Sequence, residues 1–169
     1  MFDTALGPCG IAWGERGIVA VQLPEATAEG TRARLLRLHS GAMPSDPPPD
    51  VLSAVGSMVA LLAGEVVDLR DIPLDLHGVS EFHRRVYDVV RGIPRASTLT
   101  YGAVATTLGD SRAAQAVGRA LGKNPCPIIV PCHRVLASNG RLGGFSGAGG
   151  TRTKHAMLLI EGALPAELF

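Results

Sequence analysis

Cys132 and His133 are adjacent in the segment Pro131-Cys132-His133-Arg134-Val135, and Glu161 follows near the end of the chain. A thiol is a strong nucleophile only as its thiolate, which requires a lowered pKa or a base beside it. A Cys–His–Glu relay would supply that base: the carboxylate orients the imidazole and fixes its tautomer, and the imidazole draws off the thiol proton. Neighbours in sequence do not automatically touch, because alternate side chains of an extended strand point apart. They meet where the chain turns, or through a bridging water at the start of a helix. The residues alone also fit a plainer reading, a buried thiol beside a satisfied histidine. Cys9 and Cys126, both in apolar surroundings, fit that plainer reading and are assigned no chemistry.

Two turns of sequence flank the pair. Upstream, Pro127-Ile128-Ile129-Val130-Pro131 reads as a buried extended segment held between prolines, and downstream a Gly-rich loop runs from Asn139 to Gly150. A closing helix over Lys154–Ile160 would carry Glu161 at its end. Before this lie two short helices in tandem. Thr100 can cap the first, through Leu108, and Asp110 or Ser111 can cap the second, over Arg112–Leu121, with Gly109 and Gly122 as stops. Such a pair reads as a helix-turn-helix. The second helix is rich in small residues, and Arg112, Arg119 and Lys123 make it basic. A longer helix starts behind Ser80 and places Phe82, Val86, Val89, Val90 and Ile93 on one face.

The first half reads differently. Gly10–Trp13 and Gly17–Gln22 form a candidate hairpin around Glu15-Arg16. Helices are expected over Thr27–His39 and Val51–Leu62, separated by a Pro-rich loop over 41–49, and a short strand over Ile72–Leu76. The expected architecture is an α/β N-terminal domain with a small antiparallel sheet, residues 1–77, followed by a mainly α C-terminal domain with a winged-helix-like helix-turn-helix, residues 78–169.

Charge follows the same division. Residues 1–77 sum to −5 and residues 78–169 to +6, within a net charge of +1. A basic half suits a polyanionic partner. Hydrophobic residues make up 46% of the chain, which argues against disorder. No apolar run reaches the roughly 18 residues of a membrane span, and no signal peptide is evident, so a cytoplasmic location is expected. Three cysteines without CxxC spacing argue against a disulfide framework and against a structural zinc site.

Residues 80–162 resemble the C-terminal domain of the O6-alkylguanine-DNA alkyltransferases, also called methylated-DNA–protein-cysteine methyltransferases. The resemblance rests on Phe82-x3-Val86-Tyr87, Ile93-Pro94, Thr100-Tyr101-Gly102-x-Val104-Ala105, Ala116-Val117-Gly118, Asn124-Pro125, Ile128 through Val135, Gly143-Gly144-Phe145-Ser146-Gly147, Lys154 and Glu161, in family order. It implies that Cys132 takes an alkyl group from O6-alkylguanine, and from O4-alkylthymine, in double-stranded DNA by SN2 transfer and keeps it. His133, through water, and Glu161 would activate the thiol. Tyr101 would help rotate the nucleotide out and protonate guanine N3. Ser146 and the Val135 backbone would contact the base, with Phe145 and Pro127 at the pocket, Asn124 bracing the preceding turn and Arg134 structural. Arg112, Ala114, Gln115, Ala116, Gly118, Arg119 and Lys123 would meet DNA. No cofactor is implied, since the lesion is the alkyl donor, and a monomer associated with the nucleoid when bound to DNA is expected.

The sequence departs from the family at four places. Gln115 stands where Arg usually fills the space left by the flipped base, which predicts weaker duplex binding or more reliance on Arg112, Arg119 and Lys123. Phe145 replaces a common Tyr, Arg95-Ala96-Ser97 replaces the usual Gly-Glu, and the loop between Gly147 and Lys154 is about two residues longer. Two other classes compete: a non-enzymatic binder that flags alkylated DNA for other repair, which Cys132 argues against, and a cysteine hydrolase, which would need an oxyanion hole.

Overall fold

The computed structural model describes residues 1–164. Strands β2 (Gly7–Gly14) and β3 (Gly17–Gln22) form the expected antiparallel hairpin, with Ile11 opposite Val21 and an irregularity at Ala12/Trp13. Strand β1 (Phe2–Thr4) adds to the outer edge of β2 and makes the sheet order β1-β2-β3. Three residues are too few to reveal an alternating pattern, so this strand escaped the sequence reading.

The strand expected over Ile72–Leu76 shrinks to one parallel bridge between Leu74 and Ile18. Ile18 N donates to Pro73 O at 2.9 Å, and Asp75 N donates to Ile18 O at 2.8 Å. Pro73 has no N–H with which to extend a ladder. Gly17 permits this approach: its φ is +130, and a Cβ there would stand 2.5 Å from the Pro73 carbonyl oxygen.

Helices α1 (Ala28–Leu38) and α2 (Pro49–Leu62) follow, as expected within two residues. Thr27 caps α1 by accepting from Gly30 N at 3.0 Å, and Pro49 opens α2, where a missing N–H costs nothing. Helix α3 (Glu81–Arg91) begins behind Ser80, whose hydroxyl accepts from His83 N. It buries Val86, Tyr87 and Val90, each stabilising by about 1.5–3 kcal/mol. The Tyr87 hydroxyl donates to Ala120 O at 2.9 Å and ties α3 to the helix that borders the site.

Helices α4 (Tyr101–Thr107) and α5 (Ala114–Gly122) are both present. Thr100 caps α4 as expected, accepting from Ala103 N. The start of α5 corrects the sequence reading. It begins at Ala114 rather than Arg112, behind Ala113, with no side-chain cap. Asp110 accepts from Arg112 N at 3.0 Å and so closes a turn before the helix instead of capping it.

A second correction concerns residues 127–131, which are not extended. Val130 N donates to Cys126 O at 2.8 Å, and Ile128 takes a φ of +75. A β-branched residue in that region costs on the order of 1–3 kcal/mol. With no strand beside it, the segment satisfies its backbone by turning on itself. A 3-10 turn over Cys132–Arg134 follows, then β5 (Val135–Leu136), which pairs in parallel with β4 (Leu99–Thr100). Helix α6 runs Gly150–Glu161, four residues longer at its start than expected, because Gly149 and Gly150, both at positive φ, lead into it.

One buried apolar cluster runs from Cys9, Ile18 and Leu23 through Met58 and Leu61 to Val86, Val104, Val117, Val130 and Met157. Val21 N donates to Pro125 O at 2.9 Å, so the sheet is fastened to the turn that leads to Cys132.

Candidate active site

Cys132 opens the 3-10 turn, where its N–H reaches back to Val130 O at 2.8 Å. The turn resolves the problem of neighbours on a strand: Cys132 and His133 sit on a tight curve, not on opposite faces. Asn124 holds the curve from the other side. Its Nδ2 donates to Val130 O and its Oδ1 accepts from Cys126 N, both at 2.9 Å. The bracing expected of Asn124 is thus present as geometry.

His133 and Glu161 are both buried, and His133 Nε2 lies 2.9 Å from Glu161 Oε1. Arg134 Nε and Nη2 donate to the two oxygens of the same carboxylate, each at 2.8 Å, and Nη1 donates to Ile93 O at 2.6 Å. Burial alone would raise the Glu161 pKa, but hydrogen bonds from His133 and Arg134 outweigh it and bring it down to about 2. The carboxylate is therefore ionised and only accepts. Burial keeps the His133 pKa below its ordinary value, against the pull of Glu161. A neutral imidazole facing an acceptor carries its proton on Nε2. Its Nδ1 is buried and has no protein partner among the described residues, so its lone pair is free to take a proton.

Lys154 carries weight that the sequence reading did not assign it. It is fully buried, its Nζ donates to Val135 O at 2.6 Å, and it faces the Tyr101 ring at 5.8 Å from the centroid. Burial lowers its pKa to about 8, against the favourable influence of Cys132. Burial likewise pushes the Cys132 thiol up, opposed by the Asn124 side chain and the Lys154 charge. In the sequence Lys154 stands among polar residues at the start of the closing helix, named only among the residues of the family resemblance and given no role.

A cavity of about 480 Å³ opens against Cys132, lined by Tyr101, Gly118, Leu121, Phe145 and Ser146. A cleft of about 400 Å³ on the side of β3 and α1 shares Cys132, Phe145 and Ser146 and adds Lys123, Asn124 and Pro127. Gly118 lies at the cavity wall facing the Tyr101 ring, where a Cβ would make ordinary contact at 3.9 Å. Gly147 sets the wall: a Cβ would collide with the Phe145 ring and stand 2.8 Å from Leu23 Cδ1. The Tyr101 hydroxyl donates to Gly144 O at 3.4 Å, and burial first, then Cys132, raises its pKa.

The expected site residues therefore divide. Cys132, Tyr101, Gly118, Phe145 and Ser146 meet in one cavity. His133, Arg134 and Glu161 lie behind it, buried. Val135 is not at the cavity: it is fully buried, its N–H is held by Cys132 O and its carbonyl by Lys154. On α5, Gln115 and Arg119 are exposed while Val117, Ala120 and Leu121 are buried, and Ala114, Ala116 and Gly118 are partly exposed. Arg112 lies just before the helix with an almost fully exposed side chain. Among the described residues, no three His, Cys, Asp or Glu side chains cluster to hold a metal ion.

Fold and site together define a class: a small α/β protein presenting one thiol at the wall of an open cavity, backed by a buried imidazole–carboxylate pair. Residues 81–163 match the family model described as the DNA-binding domain of 6-O-methylguanine DNA methyltransferase. The chain is 38% identical over 153 residues to the methylated-DNA–protein-cysteine methyltransferase of Methanothermobacter thermautotrophicus, covering 90% of this chain and 78% of that protein. It resembles the crystal structure of Mycobacterium tuberculosis OGT in complex with DNA, with a TM-score of 0.74 and 33% identity over 99% of this chain and 94% of that one. Over 105 residues it is 46% identical to a DNA base-flipping protein of Thermus thermophilus, covering 62% of this chain and 69% of that protein. The chain belongs to the methylated-DNA–protein-cysteine methyltransferase family.

Proposed function

We propose that this protein repairs DNA by direct reversal, moving the alkyl group of O6-alkylguanine, and of O4-alkylthymine, onto Cys132 in a single irreversible turnover. The observation that carries the reading is the position of Cys132, between the open cavity and the buried His133–Glu161 pair. The thiol proton passes through a bridging water to His133 Nδ1. The sulfur attacks the alkyl carbon, an S–C bond forms, and the C–O6 bond breaks. The departing guanine takes a proton at N3 from Tyr101, whose phenol is protonated at neutral pH. Lys154 and Asn124 favour the thiolate before attack. The thioether product offers no leaving group to regenerate the thiol, so each molecule acts once.

The lesion lies inside a duplex, so the base must be turned out, at a cost of a few kcal/mol. In this reading α4 and α5, joined through Gly109, act as a helix-turn-helix within a C-terminal unit, 78–169, behind an N-terminal unit, 1–77. Helix α5 approaches the minor groove with Ala114, Gln115, Ala116, Gly118 and Arg119, flanked by Arg112 and Lys123. The flipped base occupies the cavity with Ser146 at its edge and Phe145 as a wall, while Pro127 borders the neighbouring cleft. Arg134 and Val135 support the site from beneath, Arg134 through Glu161 and Val135 through Lys154. The protein works as a cytoplasmic monomer and needs no cofactor.

Intact mass after incubation with O6-methylguanine duplex tests this. A single gain of about 14 Da, one CH2, that disappears in Cys132→Ala is expected. Binding without a mass gain would instead identify a lesion binder.

A further inference from the structure

We infer that Arg95 is a positioning residue that locks Glu161, and through it His133, by bridging the C-terminal ends of α2 and α6. The inference rests on the reading of Cys132 as the alkyl acceptor. Arg95 Nη2 donates to Gly64 O at 2.9 Å and to Ile160 O at 3.0 Å. Ile160 directly precedes Glu161, so the second bond holds the backbone that carries the carboxylate.

The geometry around these two carbonyls calls for a cation. Helices α2 and α6 pack together, and a Cβ on Gly64 would lie 3.8 Å from Ile160 O. Each helix end carries roughly half a negative charge. Neither helix has a basic residue in its own last turn. A guanidinium between the two ends offsets both, satisfying Ile160 O in the last turn of α6 and Gly64 O just past the end of α2.

The turn carrying Arg95 is itself fastened to the same carboxylate. Arg134 binds Glu161 with two nitrogens and Ile93 O with the third. Ser97 N donates to Pro94 O, and Ala96 adopts a φ of +61, a left-handed conformation that disfavours a residue with a Cβ. A closed ring results: Glu161 to Arg134, to Ile93, along the turn to Arg95, and back through Ile160 to Glu161. Networks of this kind act as units, so loosening one member shifts the others. Arg95 also joins α2, from the first half of the chain, to the relay behind Cys132.

The test uses Arg95→Met, which keeps the aliphatic stem, and Arg95→Lys, which can still reach one carbonyl. Three quantities are measured: the single-turnover rate on O6-methylguanine duplex, the Tm, and the NMR resonance of the His133 Nε2 proton. Arg95→Met should slow transfer by roughly tenfold, the scale of a small misplacement of a reacting group, and shift or broaden the His133 resonance at temperatures where the protein stays folded. Arg95→Lys should recover part of both. A lower Tm with the rate and resonance of the folded protein unchanged would reduce Arg95 to a stabilising contact and overturn the inference. If Arg95→Met does not fold, an unaltered resonance in Arg95→Lys has the same force. Failure of the wild-type chain to gain an alkyl group would overturn the functional reading instead, while the His133 resonance still reports on Arg95.

Discussion

His133 Nε2 faces Glu161 Oε1 across 2.9 Å, with both side chains closed off from solvent. Both groups have a folded pKa below the ordinary one: Glu161 falls from 4.5 to about 2, and His133 lies below 6.5. The unfolded chain therefore binds protons first as the solution is acidified, and stability is present at neutral pH and lost downward. The loss should begin below about pH 6.5 through His133 and deepen below 4.5 through Glu161. Denaturant titrations between pH 7.5 and 3 check this. In His133→Gln the decline between pH 7 and 5 should flatten, and an unchanged slope would remove His133 from the account.

Glu161 also neutralises Arg134. Removing it leaves a buried guanidinium without its carboxylate, and breaking such a pair typically costs about 3–5 kcal/mol. Glu161→Ala should be destabilised on that scale in urea, whereas Asp68→Ala in the exposed Asp68–Arg70 pair should cost far less, because solvent screens that pair. Equal losses at the two sites would contradict the burial argument.

The charge of Lys154 acts on the Cys132 thiol. Replacing it with Met keeps the stem but withdraws the charge that lowers the Cys132 pKa. Each unit of rise in a thiol pKa above the working pH cuts the thiolate fraction about tenfold. Lys154→Met should therefore react more slowly with iodoacetamide at neutral pH, with its rate profile displaced toward alkaline pH. A profile superimposable on that of the wild type would show that Lys154 serves only to hold Val135.

Gly118 separates helix stability from cavity access. Its φ is ordinary, and a Cβ would meet the Tyr101 ring at a comfortable 3.9 Å. Gly118→Ala should thus stabilise the protein by about 0.5–1 kcal/mol, because glycine is a poor helix former, and leave transfer nearly intact. Gly118→Leu should keep the fold but fill the cavity beside Cys132 and slow transfer strongly. Retained transfer in the leucine variant would mean that the base is received elsewhere.

Much of this was legible in the chain because it rests on local signals. The Ser80 and Thr100 caps each accept a backbone N–H as their sequence context implies, while Thr27, read as the first residue of its helix, is the cap before it. The relay was legible as residue types, but its closeness was not, since Glu161 reaches His133 only through the packing of α6. Residues 127–131 misled for a physical reason: β-branched residues between prolines look like a strand, yet no neighbour was there to pair with them. Lys154 and Arg95 were illegible as parts of the site. Their partners are the backbone carbonyls of Val135, Gly64 and Ile160, and a carbonyl leaves no mark on sequence.

Gln115 is exposed on α5, where the family usually has arginine. Gln can stack and hydrogen-bond, but it releases no counterion from DNA. A cation added there should raise the slope of log affinity against log salt by about 0.9 and tighten duplex binding. Gln115→Arg should also hold the flipped state better, because a longer, planar, charged side chain can occupy the gap left by the base. Mobility-shift titrations at several salt concentrations, paired with single-turnover repair rates, measure both effects. Greater affinity with an unchanged rate would confine the arginine to backbone attraction. If affinity and rate both stay at wild-type values, Arg112, Arg119 and Lys123 already supply what Gln115 lacks, and the substitution carries no penalty for this chain.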